Sequence, residues 1–69
     1  MTSPPVGPNL RRLRHERQLT VKHAADELGA AERTLHKWER SESQPSWMYL
    51  ERLSEFYETT PAELFTPQP

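Results

Sequence analysis

The stretch VKHAADELGAAERTLHKWER, Val21 to Arg40, decides the fold of this 69-residue chain. At about 100° per residue, Val21, Ala24, Ala25 and Leu28 share one face, and after a break Leu35 and Trp38 share another. The break is Gly29-Ala30-Ala31: the glycine is placed to end one helix in the left-handed conformation, and Thr20 is placed to cap that helix's start. Two short helices joined by so short a turn have the geometry of a helix-turn-helix, whose second member can project into a groove. Simple helical hairpins also use short turns, so turn length alone does not separate the two.

Outward from this stretch the apolar pattern stays helical. Leu10 and Leu13 mark a preceding helix, and Trp47, Leu50, Leu53 and Tyr57 a following one that Ser46 caps just after Pro45. A short fifth helix opens at TPAE, where Thr60 is the cap, Pro61 takes the first helical position and Glu63 can close a capping box, burying Leu64 and Phe65. Both tryptophans fall on inward stripes and are expected in the core. Tyr49 and Phe56 lie on the flank of the fourth helix, where they either cover the fifth helix or stay exposed for a partner subunit. There is no internal repeat, no strand-like alternation and no Asn-Gly or Asp-Gly hairpin signal, so the expected fold is all-α with five helices. Three prolines fall in the first eight residues and two in the last three, which marks 1–8 and 66–69 as flexible, disordered tails around a domain at 9–65.

Composition narrows the function. A chain of this length with 33% apolar residues forms one small domain and excludes a large catalytic architecture. It has no cysteine, and His15, His23 and His36 lie on three different helices without metal-ligand spacing, so neither a metal nor a cofactor is expected. No spacing suggests a nucleophile with its base, and no glycine-rich loop could cradle phosphate; the reading is a non-enzyme with no small-molecule ligand. No window approaches the run of about 18 to 20 apolar residues of a membrane span, and the N-terminus lacks a secretion signal, so a cytoplasmic protein is expected.

The net charge of −1 hides an asymmetry. Residues 1–40 hold eight basic against five acidic side chains, a balance of +3, whereas residues 41–69 hold Arg52 against five acids, a balance of −4. Such a molecule can present one end to a polyanion and keep the other away from it. On the third helix Leu35 and Trp38 point one way while Glu32, Arg33, His36, Lys37 and Arg40 share the opposite side. That side carries what reading base edges requires. Arg33 can donate twice to one guanine, Lys37 can do likewise or meet a phosphate, Glu32 can accept from cytosine N4, and His36 joins them as a base-contacting candidate. A solvated charged face is the plain alternative.

Three charges interrupt or border inward stripes. Arg14 and Arg17 follow Leu10 and Leu13 by four residues, and Glu39 borders the Leu35 and Trp38 stripe. Burying either sign alone costs several kcal/mol, so Arg14 and Glu39 are paired as a structural link between the first and third helices.

At this point the chain resembles the XRE family, the lambda repressor and Cro type of helix-turn-helix. The similarity covers residues 9–65: Arg14, the LT of Leu19 and Thr20, AADELG at 24–29, TLHKWER at 34–40, Pro45, and TTPAELF at 59–65 with Thr60 as its cap. The resemblance implies a compact five-helix, lambda-repressor-like domain in which Arg14 and Glu39 pair. It implies base contacts at Glu32, Arg33 and Lys37 with Val21, and phosphate contacts at Thr20, Arg40, Ser43 and Gln44; Lys22 is grouped with the latter. The implied function is a sequence-specific DNA-binding transcriptional regulator, a repressor by analogy, that inserts 32–40 into the major groove of double-stranded DNA, with a homodimer on a two-fold operator as one option. The alternative is a protein-interaction module on the same helices, binding a toxin, an antagonist or a polymerase subunit.

Departures from the family pattern are local. Val21 stands where glutamine is common, Ala31 where a serine or threonine cap is usual, and Ser41 where glycine follows the third helix. Ala24 and Ala30 are smaller than usual and Trp38 and Trp47 larger, which is expected to redistribute core volume.

Overall fold

In a computed structural model that describes residues 6–66, the chain forms five α-helices: α1 (Val6–Glu16), α2 (Val21–Leu28), α3 (Glu32–Glu39), α4 (Trp47–Phe56) and α5 (Pro61–Leu64). The caps are set by local sequence. Thr20, Ser46 and Thr60 sit in extended backbone, and their hydroxyls accept from the N–H of His23, Tyr49 and Glu63. The Glu63 carboxylate takes the Thr59 hydroxyl, so the side-chain half of the expected capping box is spent one residue earlier. Each of the first four helices closes with a left-handed residue and paired 6→1 and 5→2 backbone bonds. Gly29 fills that position after α2; Gln18, Ser41 and Glu58 fill it after α1, α3 and α4 at φ of 55°, 61° and 54°, each a conformation glycine would hold with less strain.

The core joins Val6 and Leu10 of α1, Ala24, Ala25 and Leu28 of α2, Leu35 and Trp38 of α3, Leu50 and Leu53 of α4, and Tyr57 and Leu64. α1 packs on α3 and α5, and α2 packs on α3 and α4. Three expectations are corrected. First, α1 begins at Val6, inside the segment read as a tail; residues 1–5 of that segment and 67–69 of the C-terminal one lie outside the described residues. Pro8 is compatible because it sits in the first turn, where its missing N–H has no helical acceptor, and Val6 precedes Leu10 by one turn on the same face. Second, Trp47 is 62% exposed while Trp38 is 5% exposed, so only Trp38 adds to core volume. Trp47 starts α4 about 90° from the axis of the Leu50, Leu53 and Tyr57 stripe, and Tyr49 on the other flank is the one that packs on Trp38, ring centroids 5.0 Å apart. Third, Leu64 is buried but Phe65 is 38% exposed, because α5 ends at Leu64 and its next residue turns outward. Phe56 lies half-buried edge-on to Tyr57.

Polar ties fasten the helices. The buried Asn9 amide donates to the carbonyls of Leu64 and Thr66, closing the end of α5 on α1. Arg17 donates to the Tyr57 carbonyl and lies over its ring. Arg14 makes the central tie: Nε and Nη2 donate to the two Glu39 oxygens at 2.8 and 3.0 Å, and Nη1 donates to the Leu19 carbonyl. The pair is covered, with side chains 12% and 5% exposed, and the hydrogen bond to Glu39 holds the Arg14 guanidinium above its ordinary pKa. Gly7 allows this approach, since a Cβ there would come within 2.6 Å of the Trp38 carbonyl and 2.8 Å of that of Glu39.

Three outcomes are expected. Arg14→Ala leaves the Glu39 carboxylate buried and unpaired, so it should cost about 3–5 kcal/mol by chemical denaturation, against at most about 0.5 kcal/mol for the exposed Arg33→Ala; equal losses would contradict the buried pair. Ala31 already has the backbone of an N-cap but no side-chain acceptor, so Ala31→Ser should raise stability by about 1 kcal/mol. The Tyr57 hydroxyl is buried without a hydrogen-bond partner among the described residues, and burial, then Glu39, pushes its pKa up to about 12 from 10. Because the folded state keeps this proton after the unfolded chain has lost it, its contribution is complete below pH about 10 and fades towards 12. Thermal melts across that range should show a smaller alkaline loss for Tyr57→Phe than for the native chain.

Candidate nucleic-acid interface

The turn between α2 and α3 is held from within and from α4. Gly29 adopts φ of 72°, with its N–H bonded to Asp26 and that of Ala30 to Ala25. From α4, the Tyr49 hydroxyl donates to the Gly29 carbonyl at 3.3 Å, and Arg52, stacked over the Tyr49 ring, reaches the Leu28 carbonyl at 3.5 Å. Tyr49 also packs on Trp38, so a single side chain touches both the turn and α3. With Leu35 and Trp38 buried and Glu39 clamped by Arg14, the orientation of α3 about its own axis is defined.

The opposite side of α3 is open. Glu32, Arg33, His36, Lys37 and Arg40 are all exposed, and Arg33, His36, Lys37 and Arg40 line one shallow concavity together with Glu42. Neither Arg33 nor Lys37 has an ion pair or side-chain hydrogen bond among the described residues; Arg40 approaches Glu42 at 3.7 Å, both well exposed. Glu32 opens the helix and Lys37 occupies its last turn, so each charge sits at the end of the helix dipole that favours it.

The other candidates occupy adjoining surfaces. Thr20 and Lys22 are exposed at the start of α2, the Thr20 oxygen already accepting from the His23 N–H. Val21 is half-buried against the core, so only part of it faces outward. Ser43 and Gln44 are exposed in the loop that follows α3. Three further side chains contribute that the sequence alone did not single out. Tyr49 and Arg52 latch the turn, signalled only by their i, i+3 spacing on one flank of α4. Arg11 of α1 lines a second concavity with His36 and Arg40, a juxtaposition that needs α1 docked on α3 to exist. Among the described residues no His, Cys, Asp or Glu cluster of three or more could hold a metal ion, and no helix is long and apolar enough to cross a membrane.

The sequence profile of the helix-turn-helix domain matches residues 6–65. No curated protein sequence matches the chain. Solved structures do. The P22 c2 repressor protein, in complex with the synthetic operator 9T in the presence of Tl+, superposes with a TM-score of 0.87 at 23% identity over 96% of this chain and 100% of that one. The restriction-modification controller protein C.AhdI from Aeromonas hydrophila gives 0.81 at 26% identity, covering 90% of this chain and 94% of that one. SinR, the master regulator for biofilm formation, in complex with DNA, gives 0.81 at 24% identity, covering 88% and 98%. With its turn, its two short helices and its five-helix body all matching, the chain belongs to the helix-turn-helix domain family and has the lambda-repressor-like fold.

Proposed function

We propose that this protein is a sequence-specific DNA-binding transcriptional regulator, a repressor, that reads the major groove with α3. The observation that carries the reading is the free, cationic outer side of a helix whose inner side is locked: Arg33 and Lys37 are exposed and uncommitted. Arg33 is placed to fork onto a guanine, with Glu32, His36 and Lys37 as further base contacts and the exposed part of Val21 against a thymine methyl. Thr20, Lys22, Arg40, Ser43 and Gln44 border that face and serve the phosphates. Two of the similar structures, the P22 c2 repressor and SinR, were solved on operator DNA and DNA, which supports the same partner here. The protein acts by binding rather than catalysis, in the cytoplasm where its DNA lies, and a homodimer on a two-fold operator completes the reading.

Selection of bound duplexes from a random library, followed by mobility shifts at two salt concentrations, tests it. The selected sites should share a guanine-containing half-site, with its spacing reporting stoichiometry, and binding should weaken steeply with salt. Arg33→Ala should cost about 1–3 kcal/mol of affinity and relax preference at one position without moving the melting temperature. Salt-insensitive or absent binding across the library would refute the DNA reading and favour a protein-interaction module.

A further inference from the structure

The outward side of α4 carries two large apolar side chains that the fold does not use. Trp47, Met48, Glu51 and Glu55 fall within about 100° of one another around the helix, away from the Leu50, Leu53 and Tyr57 stripe, and all four are exposed. Trp47 and Met48 are 62% and 53% exposed, and the Trp47 ring meets no other aromatic ring or cation among the described residues. On the flank of this side that faces α2, Leu28 and Phe56 line a concavity of about 350 Å³ together with Glu27, Arg52 and Glu55. Met48 lies one helical turn before Arg52, and Glu55 one turn after Glu51, so the apolar pair and the concavity form one surface.

The charges on that surface are of one kind once the committed group is set aside. Arg52 is taken up by the Leu28 carbonyl and the Tyr49 ring. Glu51 and Glu55 have neither an ion pair nor a side-chain hydrogen bond among the described residues, and Glu27 has only a solvated approach to His23 at 3.9 Å. Three carboxylates therefore surround exposed apolar area with nothing to neutralise them. A second copy docked by two-fold symmetry would set these carboxylates against their own equivalents, a like-charge contact that opposes association. A polyanion is repelled for the same reason. The complement is a chain that brings apolar side chains and cations together.

We infer that the outward side of α4 docks a basic amphipathic segment of another protein. One apolar side chain of that segment enters the concavity between Leu28 and Phe56, others cover Trp47 and Met48, and its lysines or arginines meet Glu27, Glu51 and Glu55. A cation of the segment also gains the face of the Trp47 ring. An exposed tryptophan beside a small apolar concavity is the kind of anchor on which binding energy concentrates. None of these residues belongs to the outer side of α3, so this docking does not depend on the DNA reading.

The test titrates the full chain, isotope-labelled for NMR, with two synthetic peptides of equal length, one built of leucine and lysine and the other with glutamate in place of every lysine. The basic peptide should give saturating shifts that map to Trp47, Met48, Glu51, Glu55 and Phe56, and the acidic one should give none. By anisotropy with the fluorescein-labelled basic peptide, Trp47→Ala and Glu51→Lys should each weaken binding about tenfold without moving the melting temperature. Glu16→Lys, the same change of charge on α1, should leave the affinity at its native value. Absence of saturation, shifts that map elsewhere, equal binding of the acidic peptide, or an equal loss with Glu16→Lys overturns the proposal. Two further outcomes hand the face to another occupant and overturn it as well: self-association in sedimentation that Trp47→Ala abolishes, which assigns it to a second copy, and a loss of duplex affinity in Trp47→Ala, which assigns it to DNA.

Discussion

The Arg14 guanidinium is the constraint on which the rest of the molecule turns. Its fork neutralises a carboxylate that α3 buries at its last residue, and its remaining nitrogen closes on the Leu19 carbonyl at the entry to α2. One planar group thereby joins α1, the last residue of α3 and the entry to α2. A lysine could neutralise Glu39 but could not span both directions at once, because its ammonium is a point charge rather than a fork. The absence of a Cβ at Gly7 belongs to the same joint, since it lets α1 close on the α3 carbonyls.

A second fastening of α3 is aromatic and comes from α4. Tyr49 fills space against Trp38, its hydroxyl and the Arg52 guanidinium take two carbonyls that the end of α2 would otherwise leave to water, and the two α4 side chains stack on each other. These ties matter because α3 is only two turns long and lacks a side-chain cap. An eight-residue helix is marginal in isolation. Its stability is borrowed from Leu35, Trp38 and Glu39, and that leaves the remaining face free of any structural duty.

Division of labour by face explains the charge pattern. Cations concentrate in the first forty residues because α1 to α3 present them outward around a buried inner side, while the acids of α4 and α5 lie in the other half of the chain. A nearly neutral protein can in this way offer a basic surface to a polyanion. Average charge misses it, and the sequence order of charges reveals it only in outline.

Local chemistry made much of this legible from the chain alone. Thr20, Gly29, Ser46 and Thr60 act within four residues of themselves, so helix limits and the turn followed from spacing, and the arginine and glutamate that broke apolar stripes pointed to their own pairing. What depends on distance along the chain was hidden. Proline counting masked Val6 and Gly7 because their partners lie in α3 and the core; Trp47 shared a stripe whose axis only packing could define; and the Tyr49–Arg52 latch and the Arg11–Arg40 notch join helices many residues apart. Sequence determined which faces are apolar and where helices stop, since both are short-range properties of backbone and side chain. Tertiary structure decided which charges stay free, because that depends on which of them the docked helices consume.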